Sequence, residues 1–257
     1  MSILKEIVDY KKAEVEVLKK KRPIREEEIR ARQFHHVFSR ALIGPDKISI
    51  IAEIKRASPS LGPIRPSLEP GRIASIYEKN GAAAISVLTE RHFFKGDIDY
   101  LPLIKKEVSL PILRKDFIID SYQVYESNIY GADAILLIVS ILPPDLLKDL
   151  IALTNELGME ALVEVHNREE LEKAILAGAD IIGVNNRDLK TLKIDLNTSL
   201  ELIKYIPQEK VTVVESGINT KEELLTLEEA GFDAALIGTA LMKARDIGEK
   251  LREFTGI

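Results

Sequence analysis

An acid and a base stand two positions apart in the stretch IIAEIKRASPS, where Glu53 and Lys55 follow a short apolar run. Because side chains alternate between the two faces of a strand, residues two apart point to the same side. Three other ionisable residues also end apolar, strand-like runs: Lys115, Glu164 and Glu215. If such groups meet, they shift one another's pKa values, which leaves a lysine able to donate a proton and a carboxylate able to accept one. These residues therefore predict general acid/base chemistry at one site.

A single lysine or glutamate near the end of a strand is most often a solvated residue at the rim of a sheet. Five such residues in one layer are harder to explain in that way, because burying a charge without a partner costs several kcal/mol. The five residues are therefore interpreted as a functional group of side chains, provided that the fold brings the strand ends together.

Strand and helix signals alternate along the chain. Apolar segments rich in β-branched residues predict strands at 48–55, 84–90, 111–117, 134–140, 161–165, 181–187, 211–217 and 234–239. Between them, helix-start signals fall at Asp120, at Pro143 with Pro144, and at Asn167, Thr198 and Thr220. This alternation predicts a parallel sheet with right-handed crossover connections.

A glycine repeat favours closure of that sheet. The stretches NGAAAISV, YGADAILL, AGADIIGV and AGFDAALI place glycines at intervals of 50, 47 and 53 residues: Gly81, Gly131, Gly178 and Gly231. Each follows a predicted helix, where glycine suits a left-handed cap, and precedes an even-numbered strand. Four copies of a two-strand unit predict an α/β fold, the (β/α)8 TIM barrel, which needs about 250 residues. An open, doubly wound sheet is the alternative.

The barrel would bring the ionisable residues together. Functional groups of such barrels lie at the carboxyl ends of the strands, and alternate strands contribute to the same interior layer. All five residues fall on odd-numbered strands, so we expect them to converge. The even-numbered strands end in smaller or neutral groups: Ser86, Asn185 and Gly238.

The last two strands end in ESGINT and LIGTAL, which predict an anion site. Ser216 with Gly217, and Gly238 with Thr239, let the backbone approach a ligand closely. Loops after strands seven and eight hold a phosphate in many barrels, and Ser58 lies near the end of strand one. We therefore predict a phosphorylated small-molecule substrate, and we expect a bulky side chain at Gly238 to crowd its phosphate.

The composition is that of a globular protein, with 46% hydrophobic and 30% charged residues among 257. A formal net charge of -5 argues against nucleic acid as the main partner. The absence of cysteine excludes disulfides and thiolate metal ligands and fits a cytoplasmic protein. No membrane segment is expected, and abundant glutamate and lysine with few glutamines favour a heat-stable protein.

We predict a single (β/α)8 domain over residues 1–257, in which residues 1–47 form extra N-terminal helices. Apolar residues keep helical spacing there: Ile3, Leu4, Ile7, Val8, Val15 and Leu18, and then Phe34, Val37, Phe38, Ala41 and Leu42. The four histidines lack a metal-ligand arrangement: His35, His36, His92 and His166. His166 is a minor candidate for the site because it shares the strand face of Glu164. No glycine-rich dinucleotide fingerprint follows the first strand.

Several motifs are similar to those of the indole-3-glycerol-phosphate synthase family of tryptophan biosynthesis. The resemblance runs from ILKEIVDYKKAEV to GTALMKA, and its most specific parts are IIAEIKRASPSLG, SVLTERHFFKGD, PILRKDFIID, ADAILLIV, LVEVH, IGVNNRDL and VESGI. It implies a carboxy-lyase that closes the indole ring of 1-(2-carboxyphenylamino)-1-deoxyribulose 5-phosphate with loss of CO2 and water. It also implies that no cofactor and no metal take part, and we expect a monomer.

The resemblance also implies residue roles. Lys115 would be the general acid of ring closure. Lys55 would contact the substrate carboxylate and act as an acid in dehydration, with Glu53 as its partner or base. Glu164 would stabilise developing positive charge or accept a proton.

Further residues would bind the substrate. Four would orient it: Asn185, Arg187, Glu215 and Ser216. Of these, Asn185 and Glu215 would also be catalytic residues. Three would form apolar walls against its aromatic ring: Phe94, Phe117 and Leu189. Four would hold its phosphate: Ser58, Gly217, Gly238 and Thr239. The last is threonine where some relatives have serine, a change that a backbone N–H contact would survive.

Two alternatives remain at this point. Phosphoribosylanthranilate isomerase shares the barrel and the phosphate site. That family is expected to use a cysteine as its general base, and this chain has no cysteine. A non-catalytic barrel that binds a phosphorylated metabolite would keep the glycine-rich loops. It would have no need for opposed lysines and glutamates, so the charged layer counts against it.

Overall fold

Eight parallel strands close into a barrel in the computed structural model, which describes residues 3–30, 36–44, 47–65, 67, 69–189 and 191–257. The strands are β1 Ser49–Ile54, β2 Ala84–Leu88, β3 Ile112–Lys115, β4 Ala134–Ile138, β5 Glu160–Val165, β6 Ile181–Asn185, β7 Val211–Glu215 and β8 Ala234–Ile237. Sequential strands pair with one another, and β8 pairs with β1. The predicted (β/α)8 barrel is confirmed, and the open sheet is wrong.

The strands end earlier than the sequence predicts at their carboxyl ends. β2 ends at Leu88 instead of residue 90, β4 at Ile138 instead of 140, and β7 at Glu215 instead of 217. The residues beyond these points turn away from the sheet into the loops at the barrel mouth. Ser216 and Gly217, which follow β7, line the cavity, whereas Thr89 and Glu90, which follow β2, are buried and form internal hydrogen bonds.

Helices alternate with the strands along the described chain. Two precede the first strand, α1 Ile3–Lys21 and α2 Val37–Leu42. The others are α3 Pro70–Lys79, α4 Tyr100–Lys105, α5 Ser121–Tyr130, α6 Pro144–Glu156, α7 Arg168–Leu176, α8 Asn197–Leu202, α9 Lys221–Glu229, α10 Thr239–Lys243 and α11 Ile247–Thr255. Single-turn 3-10 helices span Glu26–Glu28, Val139–Ile141 and Ile203–Tyr205. In the loop after β1, Ala57–Ser58 pairs with Gly62–Pro63 in a two-residue antiparallel ladder.

Most of the predicted helix starts are confirmed by their caps. The side chains of Asp120, Asn167 and Thr220 accept backbone N–H groups of the first turns of α5, α7 and α9, and α6 begins with proline. The start predicted at Thr198 is wrong, because α8 begins at Asn197. The carboxylate of Asp195 accepts the N–H of Asn197, at 3.0 Å, and so starts the turn earlier.

The repeated glycines adopt the left-handed conformation that the sequence predicts. Their φ angles are 84° for Gly81, 88° for Gly131, 86° for Gly178 and 98° for Gly231. Each ends the segment after a helix and turns the chain into β2, β4, β6 or β8. A residue with a Cβ is strained at such angles, which explains the glycine.

The predicted N-terminal helical extension is present. α1 spans the mouth side of the barrel, since Ile3, Leu4 and Ile7 line the cavity there. α2 lies at the opposite end, where the backbone N–H of Phe38 donates to Glu160, the first residue of β5. Both helices therefore cover openings of the barrel.

The helical spacing predicted for this extension is confirmed in part. Four of its apolar residues are buried: Ile7, Val15, Phe38 and Leu42. Val37 is 46% exposed, so its assignment to the buried face is wrong; α2 has only six residues and begins at Val37. Phe34 and His35 lie outside the described residues.

Strand side chains divide between two apolar layers. Ile50, Ala52 and Ile54 of β1 pack in the layer between the sheet and the helices, whereas Ile51 faces the interior of the barrel. Because side chains alternate along a strand, Glu53 shares the interior face with Ile51. The buried strand pattern thus delivers a carboxylate to the top of the barrel interior.

Candidate active site

A cavity of about 440 Å³ opens at the carboxyl ends of the strands. Every residue that the sequence predicts for the site lies on its wall: Glu53, Lys55, Ser58, Phe94, Lys115, Phe117, Glu164, Asn185, Arg187, Leu189, Glu215, Ser216, Gly217, Gly238 and Thr239. A cavity of this size matches the lower range of small-molecule sites in proteins. The fold therefore brings residues of all eight strands and of several loops to one place.

Lys115 lies between two carboxylates of neighbouring odd-numbered strands. Its Nζ atom is 2.7 Å from Glu215 Oε2 and 3.4 Å from Glu164 Oε2. Burial lowers the pKa of Lys115, but the surrounding carboxylates, Glu215 first, outweigh burial and raise its pKa well above the usual value. The resting site thus holds a charged ammonium with a proton to donate.

Glu53 and Lys55 form the second ion pair of the layer. Lys55 Nζ lies 2.5 Å from Glu53 Oε1, and the Glu53 side chain is only 4% exposed. Below this pair, the hydroxyl of buried Tyr77 donates to the backbone carbonyl of Glu53 at 2.9 Å. The expectation that the five ionisable residues converge is confirmed, because both ion-paired groups lie on the wall of one cavity.

The two carboxylates beside Lys115 differ in their proton affinity. Burial raises the pKa of Glu215 to about 7, although Lys115 opposes the shift. Burial acts in the same direction on Glu164, but Lys115 and then His166 outweigh it and lower its pKa to about 2. At neutral pH Glu164 is therefore ionised, while Glu215 is close to its midpoint. Two carboxylates with separated pKa values on one lysine suit acid/base chemistry.

Two glycines make room for the carboxylates, and the sequence predicts only one of them as a site residue. A Cβ atom added at Gly238 would lie 2.1 Å from Glu53 Oε1, and one added at Gly183 would lie 2.6 Å from Glu215 Oε1. Gly183 is the middle residue of β6, and Gly238 directly follows β8, so each lies beside the odd-numbered strand that carries the glutamate. The only sequence signal for Gly183 is a glycine inside a strand, which marks a close approach.

Aromatic and aliphatic side chains form one wall of the cavity. The rings of Phe94 and Phe117 lie 6.1 Å apart between centroids with an angle of 37° between their planes, and Leu189 packs on the same interior layer. Several apolar residues of this wall were not predicted from the sequence: Ile3, Leu4, Ile7, Leu136 and Leu236. Leu136 and Leu236 are hidden in strands that are apolar throughout, and the α1 residues lie too far away in sequence. Such a wall suits a flat apolar ring.

Asn185 is the last residue of β6, and Arg187 lies in the loop that follows. The Asn185 side chain accepts the backbone N–H of Arg187 at 3.0 Å, and the Arg187 guanidinium donates to the carbonyl of Leu192 at 3.1 Å. Ser216 follows Glu215 with a φ of 66°, an uncommon angle for a residue other than glycine. These contacts fix the loops after β6 and β7 around the cavity.

The predicted phosphate-binding residues line the cavity and follow three adjacent strands, β7, β8 and β1. Gly217 has a φ of 90°, and Gly238 precedes α10. Arg65, in the loop after β1, donates to the backbone carbonyls of Met242 and Ala244 at 3.2 and 2.6 Å. This contact holds the loop that carries Ser58 against the segment after β8. Lys243 also lines the cavity and was not predicted.

His166 contacts the site through Glu164 and is not among the residues that line the cavity. Its Nε2 atom lies 3.2 Å from Glu164 Oε1, and its Nδ1 atom lies 3.0 Å from Glu170 Oε2 on α7. The sequence places His166 on the face of Glu164 but contains no signal that Glu170 folds back onto the ring.

The barrel and this layer of opposed lysines and carboxylates define a (β/α)8 enzyme that carries out proton transfers on a small molecule. Comparison with known proteins narrows that class. The chain belongs to the indole-3-glycerol phosphate synthase family, whose profile matches residues 4–254.

Individual relatives agree with this assignment. The chain is 50% identical over 252 residues to the indole-3-glycerol phosphate synthase of Thermoanaerobacter pseudethanolicus, in an alignment that covers 98% of this chain and 96% of the relative. It is 54% identical over 220 residues to the protein of the same name from Acetivibrio thermocellus, which covers 86% of this chain and 85% of the relative. The solved structure of 3-hexulose-6-phosphate synthase from Salmonella typhimurium has a TM-score of 0.67 at 15% identity, and the match covers 81% of this chain and 97% of that chain. This last likeness shows the shared fold.

Two further properties concern the described part of the chain. No helix there combines the length and the apolar character that a membrane crossing requires. Nor do three or more histidine, aspartate or glutamate side chains come together there in an arrangement that could hold a metal ion.

Proposed function

We propose that this chain closes the indole ring of 1-(2-carboxyphenylamino)-1-deoxyribulose 5-phosphate and releases CO2 and water. Membership of the family and 50% identity along nearly the whole chain support the proposal. The structural observation that carries it is the position of Lys115, which lies between Glu164 and Glu215 beside an aromatic wall. An acid, its counter-ions and a surface for a flat ring are what this ring closure requires.

In ring closure, Lys115 donates its proton to the ketone oxygen of the substrate. The aromatic carbon that bears the carboxylate attacks the ketone carbon, and a carbon–carbon bond forms. The positive charge that develops on the anilino ring lies near Glu164, which is ionised and stabilises it. Loss of CO2 then returns the electron pair of the broken bond to the ring system.

In dehydration, Lys55 protonates the hydroxyl group that leaves as water. Glu53, whose Oε1 atom lies 2.5 Å from Lys55 Nζ, accepts the proton that must leave the substrate and keeps the lysine charged between turnovers. Separate lysines for the two steps agree with their separate ion pairs, one to Glu53 and one to Glu215.

The rest of the cavity binds the substrate. Phe94, Phe117 and Leu189 pack against the aromatic ring, and Asn185 and Arg187 orient the chain between ring and phosphate. The phosphate lies against four residues of the loops after β1, β7 and β8: Ser58, Gly217, Gly238 and Thr239. The loop contact made by Arg65 supports this end of the site.

Some properties of the whole chain belong to the same proposal. We infer a monomeric, heat-stable cytoplasmic enzyme that forms one domain over residues 1–257, with residues 1–47 as an N-terminal extension. The packing of Ile7, Phe38 and Leu42 into the interior apolar cluster of the barrel supports a single domain. Light scattering of the purified chain tests the monomer, and a single cooperative unfolding transition tests the single domain.

Turnover of the carboxyphenylamino substrate tests the function. The indole product fluoresces, and because the chain has no tryptophan, it emits against a background of tyrosine alone. We expect fluorescence to rise with time and one CO2 to be released for each product molecule. If the protein bound the substrate tightly but released no product, it would be a non-catalytic barrel that binds a phosphorylated metabolite. The assembled lysine–glutamate layer does not favour that alternative.

A further inference from the structure

His166 and Glu170 form a partly buried pair that the proposed mechanism does not use. His166 directly follows β5 and stands two residues after Glu164, so its ring lies on the same face of the strand. The imidazole lies between Glu164 Oε1, 3.2 Å from Nε2, and Glu170 Oε2, 3.0 Å from Nδ1. Side-chain exposures are 2% for Glu164, 11% for His166 and 15% for Glu170.

The arrangement holds an extra proton. A neutral imidazole has one N–H group and one bare nitrogen, so it can satisfy only one of two carboxylates. Here both ring nitrogens face a carboxylate oxygen, and a bare nitrogen facing either of them would be repelled. Burial lowers the pKa of His166, but Glu164 and Glu170 outweigh burial and raise it to about 10. The ring is therefore a cation at neutral pH.

The two contacts of the ring differ in kind. The Nδ1 atom forms a hydrogen bond with Glu170, whereas the Nε2 atom, although close to Glu164, is not aligned for a hydrogen bond and has no other partner among the described residues. The contact with Glu164 is thus an ion pair that depends on charge more than on direction. Removal of the positive charge of the imidazolium should therefore affect Glu164 more than removal of an uncharged hydrogen-bond donor would.

Glu170 is held in place by the first turn of α7. Its Oε2 atom accepts the backbone N–H of His166 at 2.9 Å, and its Oε1 atom lies 3.1 Å from the Asn167 side-chain nitrogen. Its own N–H donates to the Asn167 cap at 3.0 Å. The helix cap therefore fixes Glu170, Glu170 fixes the ring, and the ring faces Glu164.

A cation beside Glu164 opposes the protonation of this carboxylate. Lys115 is shared between Glu164 and Glu215, and it lies closer to Glu215. A buried carboxylate without a full counter-charge tends to bind a proton. The imidazolium, 3.2 Å from Glu164, supplies a second positive charge there.

We propose that His166 is a positioning residue whose imidazolium, held by Glu170, keeps Glu164 ionised and turned towards Lys115. The role deepens the proposed function and rests on it. The groups that act on the ring are Glu164 on its own strand and Glu170 on α7, while Lys115 from β3 and Asn185 from β6 act through Glu164. His166 touches no reacting atom in this account.

Histidine NMR of the full chain tests the charged state without any substrate. Isotope-labelled histidines give few signals, and the His166→Asn variant identifies the one of interest. We expect the ring of His166 to stay protonated on both nitrogens until about pH 10, whereas an unperturbed histidine titrates near pH 6.5. Glu170→Gln should lower the pKa of His166 by about one unit or more. Glu169→Gln, in the same helical turn but with a side chain that is 78% exposed, is the matched control and should leave it unchanged. A titration of His166 near pH 6.5, or equal effects of the two variants, would overturn the proposal.

Kinetics of two variants test the positioning role. Asparagine at position 166 can reach Glu170 but not Glu164, whereas glutamine can place a neutral donor near Glu164. We expect His166→Asn to lower kcat by about 10-fold or more while KM changes less than about 3-fold, with a smaller loss in His166→Gln. The ratio of variant to wild-type kcat/KM should also fall as the pH is lowered, because Glu164 without the cation binds a proton more readily. Wild-type kcat and a pH-independent ratio in His166→Asn would contradict the role.

These outcomes separate the inference from the function on which it rests. A wild-type protein that shows no turnover contradicts the proposed function. In that case the histidine titration still decides for or against the charged triad by itself. Turnover in the wild type with unchanged kinetics in His166→Asn contradicts the positioning role alone.

Discussion

Glu215 changes its charge near neutral pH. Its Oε2 atom binds Lys115, its Oε1 atom has no hydrogen-bond partner among the described residues, and burial raises its pKa to about 7. Above this pH the carboxylate holds the ammonium of Lys115 in place. Below it, the protonated carboxyl group no longer attracts that charge.

Glu215→Gln should therefore resemble the wild type at low pH and differ from it at high pH. We expect the wild-type to variant ratio of kcat/KM to rise through about pH 7 to about 10-fold or more. The ratio cancels the ionisation of the substrate, which is common to both proteins. Steady-state kinetics between about pH 5 and 9 provide the measurement. A ratio that stays constant across this range would show that the ionisation of Glu215 does not matter.

A side chain introduced at Gly238 would crowd Glu53 before it crowded a phosphate. The sequence predicts that a side chain here crowds the phosphate, but an added Cβ would first meet the Glu53 carboxylate at 2.1 Å. Gly238→Ala should therefore push Glu53 away from Lys55 and lower kcat by about 10-fold or more, not only raise KM. Gly71→Ala is the control, because its Cβ would meet mainly the flexible side chain of Glu107. A change in KM alone would restore the explanation drawn from the sequence.

At the scale of the elements, local patterns were sufficient for most of the barrel. The strands are visible because β-branched residues such as Ile50 and Ile51 are buried on opposite faces of one strand, and Thr220 with Glu223 forms the capping box that its spacing predicts. The ladder between Ala57–Ser58 and Gly62–Pro63 was missed because two-residue strands leave no periodic pattern. The contact of Glu170 with His166 was missed because it depends on how tightly α7 turns back after β5.

The loop after β1 provides a prediction at this scale. Arg65 binds two carbonyl groups at the end of α10 and so holds the loop that carries Ser58 close to Gly238. Arg65→Met keeps the aliphatic stem but loses both hydrogen bonds. We expect KM to rise about 10-fold while kcat changes less than about 3-fold, because binding of the phosphate end is weakened and the lysine layer is untouched.

Arg72→Met is the matched control for the loop variant. Arg72 is exposed on α3 and close to Arg65 in sequence, so its substitution removes the same charge without the contact. If both variants had the same KM, the contact of Arg65 would not support binding of the phosphate end.

At the scale of the molecule, α1 is attached to the catalytic strand by a buried ion pair. Lys11 Nζ lies 3.0 Å from Asp116 Oδ1, and Asp116 follows Lys115 directly. Burial lowers the pKa of Lys11, but Asp116 and Glu14 outweigh burial and raise it. The sequence could not predict this pair, because more than a hundred residues separate its members and Lys11 sits in a run of charged residues.

Lys11→Met should lower the free energy of unfolding by about 3 kcal/mol, since it leaves part of the Asp116 charge buried without a partner. Urea unfolding measures the change. Lys12→Met, at an exposed position next to it on α1, should change the free energy by less than about 0.5 kcal/mol. Equal effects of the two substitutions would mean that the pair does not attach α1 to the barrel.

Replacement of Lys115 by methionine tests whether this lysine donates the proton of ring closure. Lys115→Met keeps the aliphatic stem and removes the proton, while Lys204→Met, at an exposed lysine, serves as the control. We expect Lys115→Met to lower kcat for indole formation by about 10²-fold or more, with KM within about 3-fold of the wild-type value. Wild-type kcat in a folded Lys115→Met protein would contradict this role and would make Lys55 the leading acid.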